Sequence, residues 1–200
     1  MAAAVPAAAL FLAGHAGVAA AALALPLAIT LFFRDPERSP PTEPGAVVSP
    51  ADGRVIFAGE ARPEEAPPGR WRQITIFLSV LDVHINRSPV GGTVTRISYV
   101  PGSFRPAYRH DAHRNEHTEI WLDADGTTVV ARQVVGLLAR RIVCRLTTGE
   151  RVTRGARIGL MKFGSRMDVF VPMTAELEVA AGVQVRAGET VIARLGKAGA

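Results

Sequence analysis

No Asp, Glu, Lys or Arg occurs before Arg34, so all 23 basic and 18 acidic side chains of this 200-residue chain lie from that position onward. His15 is the only ionisable side chain ahead of it. An Ala/Leu/Phe-rich opening of this length argues against a wholly soluble protein. From Ala16 to Phe33, 18 uncharged and largely apolar residues run without interruption, enough for a helical span of a bilayer. Pro26, Gly14 and Gly17 leave a kinked hairpin open as the alternative geometry. No basic residue precedes the apolar stretch, which is also longer than a secretory signal core, so retention is expected over cleavage. Arg34 and Arg38 follow at once, and the positive-inside tendency then places the rest of the chain on the cytoplasmic side of a cell membrane. One cysteine, Cys144, excludes an intramolecular disulfide framework and a Cys-based zinc cluster, and it reads as a small buried hydrophobe.

Residues 34–46 form a Pro-rich linker, and 47–200 is one domain large enough to bury its own core. Helical periodicity is scarce there. Short β-branched runs at 73–78, 93–100, 118–122, 128–135 and 140–146, separated by Gly, Pro and Asp, predict a mainly β domain of short strands. Residues 59–70, rich in Pro and acid, predict a surface loop. The formal charge of +5 fits a domain held against anionic lipid headgroups. Nucleic acid is not an expected partner, because no cluster of Arg/Lys and aromatic residues stands out.

Two internal echoes sharpen the fold. Ser49-Pro50-Ala51-Asp52-Gly53-Arg54-Val55 recurs further along as Ser88-Pro89-Val90-Gly91-Gly92-Thr93-Val94. The pattern Gly149, Val152, Gly155, Ile158 recurs with the same internal spacing as Gly182, Val185, Gly188, Val191. With Gly at turns and Val facing inward, each pair predicts a strand-and-turn unit used twice, as in a sandwich of interlocked half-repeats. This pattern resembles the barrel-sandwich hybrid of biotinyl and lipoyl carrier domains. There Leu160-Met161-Lys162-Phe163 would sit at the prosthetic hairpin, which makes a carrier modified on Lys162 the alternative function. A non-enzymatic adaptor of a membrane pump also combines an anchor with a hybrid domain, but this chain has no room for the long helical hairpin of such adaptors.

Immediately after that segment, Phe163-Gly164-Ser165-Arg166-Met167-Asp168 sits inside an otherwise apolar stretch that runs to Pro172, and the small polar pair Gly164-Ser165 there needs a reason. Taken with Ser49-Pro50-Ala51-Asp52-Gly53, Leu81-Asp82-Val83-His84-Ile85-Asn86-Arg87-Ser88-Pro89, Tyr99-Val100-Pro101-Gly102 and Asn115-Glu116, the element Phe163-Gly164-Ser165 closely resembles the phosphatidylserine decarboxylase family, in its short branch. Phe32-Phe33-Arg34-Asp35-Pro36-Glu37-Arg38 matches the membrane exit of that branch. The resemblance covers roughly residues 30 to 195.

The resemblance implies a cofactor made from the chain, and the chemistry asks for one, since no natural side chain stabilises the carbanion left when an α-amino acid loses CO2. It implies that the Ser165 hydroxyl attacks the Gly164 carbonyl, turning an amide into an ester. Elimination and loss of ammonia then leave a pyruvoyl group on residue 165. Residues 1–164 become a β chain and residues 165–200 an α chain, held together as a heterodimer, with higher oligomers left open. The implied substrate is a membrane phospholipid with a serine headgroup, converted from phosphatidylserine to phosphatidylethanolamine.

His84 is the candidate base, for an imidazole can take the hydroxyl proton and later deliver one to the substrate. Asp52 or Asp82 would fix its tautomer. Longer family members carry a second histidine where Arg87 stands here. Asn115 and Glu116 are expected near the substrate pocket, and Arg87, Arg105 and Arg166 could pair with the lipid phosphate. The spacing of His110, His113 and His117 could gather three imidazoles on one helical face. The resemblance requires no metal, and none is expected.

Overall fold

The computed structural model describes residues 14–32, 34–137, 141–161 and 164–196. The chain divides into two compact units, Met1–Pro36 and Glu37–Ala200. In the first, α1 (Ala16–Phe32) is a 17-residue helix with Pro26 in its interior, where the Thr30 hydroxyl donates to the Pro26 carbonyl at 2.9 Å. Seventeen residues rise about 25 Å, short of the ~30 Å hydrocarbon core. Among the described residues no helix is long and apolar enough to cross a membrane. The span expected over residues 1–33 is thus not formed by what is described of it, and residues 1–13 and 33 lie outside the described residues.

The second unit is mainly β, as expected, and all its strand pairs are antiparallel. Its largest sheet has eight strands, in the order β13 (Gln184–Val185), β2 (Gly53–Glu60), β3 (Trp71–Leu78), β11 (Ser165–Pro172), β7 (Thr127–Val134), β6 (His117–Ala124), β5 (Gly92–Val100), β9 (Arg151–Val152). Two three-stranded sheets complete it. One runs β1 (Ala46–Val48), β14 (Val191–Arg194), β12 (Glu176–Leu177); the other runs β4 (Ile85–Arg87), β10 (Arg157–Met161), β8 (Ile142–Cys144). Residues 61–70 form the predicted loop.

The echoes in sequence are echoes in hydrogen bonding. Gly182 N–H donates to Val55 O at 2.8 Å and Gly149 N–H to Val94 O at 2.7 Å. Gly188 N–H donates to Ser49 O, and Gly155 N–H to Ser88 O. Val48 and Arg87 make the same bond, each N–H reaching the carbonyl of the other copy's proline, Pro89 and Pro50. Gly155 and Gly188 meet where the copies cross, so close that a Cβ built on either would lie 3.5–3.6 Å from the other's Cα. Each copy ends its N-terminal strand against its own C-terminal one, β1 on β14 and β4 on β10.

Strand β11 is central and buried on both faces, apolar at 167 and 169–171 and carrying Arg166 and Asp168 as buried charges. Met167, Val169 and Val171 join Ile74, Ile76, Leu78, Val129 and Ala131 in the main core. Phe170 faces the other way, onto Trp71 and Val130. Cys144 is half-buried against the main core, and burial pushes its thiol up.

Candidate active site

Gly164 precedes β11 with φ of 68°, a left-handed conformation that glycine adopts without steric cost. Its carbonyl oxygen rests on the backbone of Gly136, where a Cβ would stand only 2.1 Å away. Ser165 opens β11 opposite Leu78 and is fully buried. Its Oγ has no hydrogen-bond partner among the described residues. Strand alternation puts this hydroxyl on the side of Met167 and Val169, the main-core face. A buried hydroxyl ordinarily spends its hydrogen bonds, so an unspent one beside a glycine carbonyl asks for an explanation.

His84 approaches from the neighbouring sheet. Its backbone carbonyl accepts from Met161 N–H at 3.3 Å, continuing the β4–β10 ladder, so it lies beside the strand whose extension reaches Gly164. His84 is 3% exposed. Its Nδ1 sits 2.7 Å from the Asp82 backbone carbonyl. A carbonyl can only accept, so Nδ1 carries the hydrogen and Nε2 is the basic nitrogen. The orienting group is thus a main-chain oxygen. The Asp82 carboxylate instead accepts from Ser79 N–H at 2.8 Å and closes the turn after β3. Asp52 accepts from the Arg38 guanidinium at 2.8 Å and from Ala187 N–H at 2.7 Å, bracing the crossing of the two copies. Neither expected carboxylate is the partner of Nδ1.

Three other expected site residues are spent on the protein. Arg87 is 5% exposed and donates to Gly155 O. Arg166, one residue past Ser165, points to the opposite face of β11 and forms a two-point ion pair with Asp168, at 2.7 and 2.9 Å. Burial opposes both charges, yet the attraction and hydrogen bonds of the pair keep the guanidinium above its ordinary value and the carboxyl below its own. Across the strands Asp168 lies opposite Arg132, and Arg132 opposite Glu119, to which it donates at 2.6 Å. These charges form a buried ladder on the face away from Ser165.

Asn115 is fully buried and uses its whole amide. Its Oδ1 accepts from Ser103 Oγ and Arg105 N–H, and its Nδ2 donates to Arg105 O and Val135 O. Glu116 is partly exposed; its carboxylate hydrogen-bonds the Tyr99 phenol and raises that phenol's pKa. Arg105 is exposed and pairs with Asp111. His110 to Arg114 is a five-residue 3-10 turn, while His117 belongs to β6, so the three histidines do not share one helical face. Lys162 lies outside the described residues, and Met161 before it is buried in β10.

Sequence reasoning passed over Asn86 and Gln133. Both are fully buried, and Gln133 Nε2 donates to Asn86 Oδ1 at 2.8 Å, joining β4 to β7. Gln133 stands opposite Met167, two positions along β11 from Ser165 and on the same face. The pair's Nδ2 and Oε1 have no partner among the described residues, so a donor and an acceptor stay available whichever way the amides are turned. A Gln in a β-branched strand and an Asn two positions after the histidine were the available signals.

A family model described as phosphatidylserine decarboxylase matches residues 25–193. Over 183 residues the chain is 49% identical to the phosphatidylserine decarboxylase proenzyme of Symbiobacterium thermophilum, covering 90% of this chain and 85% of that one. It is 43% identical over 198 residues to the proenzyme of that name from Trichlorobacter lovleyi, covering 94% and 90%. For the one from Geobacter sulfurreducens the figures are 47% over 184 residues, 89% and 84%. With Gly164-Ser165 at the mouth of a buried strand and matches this long, the chain belongs to the phosphatidylserine decarboxylase family.

Proposed function

We propose that this chain cuts itself between Gly164 and Ser165 and then decarboxylates phosphatidylserine to phosphatidylethanolamine and CO2, using a pyruvoyl group formed at residue 165. The observation that carries the reading is the Ser165 hydroxyl, buried and unspent beside a glycine in the left-handed conformation. In the cut, Ser165 Oγ bonds to the Gly164 carbonyl carbon as that carbon's bond to the Ser165 nitrogen breaks, and the hydroxyl proton ends on the nitrogen. Elimination then releases Gly164 as a carboxylate. One water enters and one ammonia leaves. Residues 1–164 and 165–200 remain together as a β–α heterodimer, because β11 is held between β3 and β7.

The site fits such a group: Ser165 is enclosed, and the Asn86–Gln133 pair nearby keeps one donor and one acceptor for a polar guest. When present, the pyruvoyl group supplies the electron sink that ordinary side chains lack. His84 Nε2 takes the hydroxyl proton during the cut and holds the proton destined for the substrate carbon that loses CO2. Arg87 and Asn115 serve by holding the walls of the site, being buried and bonded to the protein, and Arg166 by bracing the far face of β11, while Glu116 is the partly exposed residue left to face a headgroup.

The crossed half-repeats support a barrel-sandwich-hybrid core. Residues 1–33 attach the enzyme to the cytoplasmic side of the membrane through their uncharged, largely apolar side chains. The test is the intact mass of purified chain. Two fragments ending and beginning at 164 and 165, the smaller without a free amino terminus, are expected together with phosphatidylethanolamine formation. An unbroken chain in an active preparation overturns the reading, and added mass on Lys162 of an unbroken chain would favour the carrier instead.

A further inference from the structure

Gly136 follows β7, and no motif in its own stretch of sequence marks it out. It is buried, and its backbone is not in the left-handed region, so its φ would admit any residue. What it cannot admit is a side chain. An ideal Cβ would stand 2.1 Å from the Gly164 carbonyl oxygen and 3.3 Å from the carbonyl carbon, with Ala107 Cβ at 3.4 Å closing the other side. Contacts under about 3 Å are not tolerated, and here the obstacle is backbone, which has no rotamer to change.

The backbone around Gly136 is also clamped. Val135 N–H donates to Glu116 O at 3.1 Å, and Val135 O accepts from Asn115 Nδ2 at 2.9 Å. Asn115 is itself fixed by Ser103 and by both main-chain groups of Arg105. Gly136 therefore has little freedom to retreat from an added methyl group, and the displacement would fall on the Gly164 carbonyl.

We propose that Gly136 is a positioning residue for the self-cleavage: its bare Cα is the seat on which the scissile Gly164 carbonyl is held for attack by Ser165, and Asn115 acts on the same bond by clamping Val135. Two glycines then divide the work. Gly164 turns the carbonyl through its left-handed φ, and Gly136 gives the oxygen room, both as a flat carbonyl and when attack pushes it out of plane. A misplacement of about 1 Å in a reacting group can cost on the order of 100-fold in rate. The inference rests on the self-cleavage proposed above.

The test follows processing of the full chain in cell-free translation, by gel time course, alongside melting curves of the purified chains. Gly136→Ala should slow the appearance of fragments at least tenfold. The matched control is Gly92→Ala, whose Cβ would meet the Asp123 carbonyl oxygen at 2.1 Å in β5 and so loads the fold at least equally, with β6 and β7 between it and β11 and the scissile bond. It should process within about twofold of the parent. Asn115→Asp, which keeps the acceptor but loses the donor to Val135, should slow processing by a smaller factor and decides the matter if Gly136→Ala fails to fold. Parental rates in Gly136→Ala, or in Asn115→Asp where Gly136→Ala does not fold, overturn the proposal. So does a slowing shared by Gly136→Ala and Gly92→Ala in proportion to lost melting temperature. If the parent chain itself stays uncut, the self-cleavage reading fails and the seat has nothing to hold.

Discussion

The two half-repeats share a backbone and differ in chemistry. In the first copy, Gly45 O accepts from Leu195 N–H at 2.8 Å; at the equivalent place in the second, His84 O accepts from Met161 N–H. The offset that carries Ser49 onto Ser88 also carries Gly45 onto His84, Val48 onto Arg87 and Asp52 onto Gly91. Both ladders are antiparallel and end on the same kind of bond, with the C-terminal strand set one residue earlier in the second copy, so the fold does not require an imidazole at 84. The C-terminal strands differ as well. In the first copy β14 leads to the end of the chain, whereas in the second β10 continues into Gly164-Ser165. On the reading proposed above, one copy closes the core and the other carries the reacting groups, so that function would lie in side chains that break an internal symmetry, on a scaffold that would fold without them.

The largest effect should come from removing the nucleophile. Ser165→Ala should abolish both cutting and turnover and leave the melting temperature within a few degrees of the parent, since the lost hydroxyl spends no hydrogen bond among the described residues. Mass spectrometry and a lipid assay check it, and fragments from this variant would move the cut elsewhere.

Next in size is the contrast between His84 and its counterpart. His84→Ala should lower processing, or turnover where processing survives, by about 100-fold or more. Gly45→Ala should do the reverse. With φ of 70° and a Cβ only 2.9 Å from Leu195 O, it should cost about 1–2 kcal/mol of stability and leave the rate of cutting alone. Parental rates in the His84 variant would remove it from the site.

Asp52 sharpens the comparison from the other side, because its counterpart is Gly91. Asp52→Asn removes one of the two carboxylates facing Arg38, whose side chain is 9% exposed, leaves Glu189 paired with it at 3.0 Å, and should cost about 2 kcal/mol in urea denaturation. Processing measured well below the melting temperature should then be near parental. A loss of cutting without loss of stability would instead give Asp52 a part in the chemistry.

The smallest effect is a pH dependence of stability. Burial, as the largest cause, lowers the pKa of His117 below the ordinary histidine value. The unfolded chain therefore binds the proton more readily. Stability is complete above about pH 6.5, where the unfolded histidine is neutral, and declines as pH falls through that range. Melting curves from pH 7.5 to 5.5 should show the decline, and His117→Asn should flatten it.

Most of the fold was legible in the residue pattern. The β-branched runs, punctuated by Gly and Pro, coincide with β3, β5, β6 and β7 apart from small differences at the strand ends, because strand alternation and turn chemistry are local. The echoes announced the crossed copies for the same reason: Gly at 155 and 188 is needed wherever two backbones touch. The expected membrane span is not formed among the described residues. Apolar length is visible in sequence, but where a helix starts and stops is not, and α1 is 17 residues long.

By itself the sequence determined the mainly β architecture and the family, and it pointed to the bond proposed to be cut, since Gly164-Ser165 with Asp82-Val83-His84 and the echoing Ser-Pro units is a combination of types and spacings. Only the tertiary structure decided what the surrounding polar residues do. Arg166 stands beside Ser165 in sequence and on the opposite face in space, because successive residues of a strand alternate. Arg87 and Asn115 were expected at the substrate and are spent on Gly155 and Val135, partners 68 and 20 residues away. The Asp82 carbonyl, the Asn86–Gln133 pair and the seat at Gly136 depend on main-chain atoms and contacts across sheets, which no residue type announces.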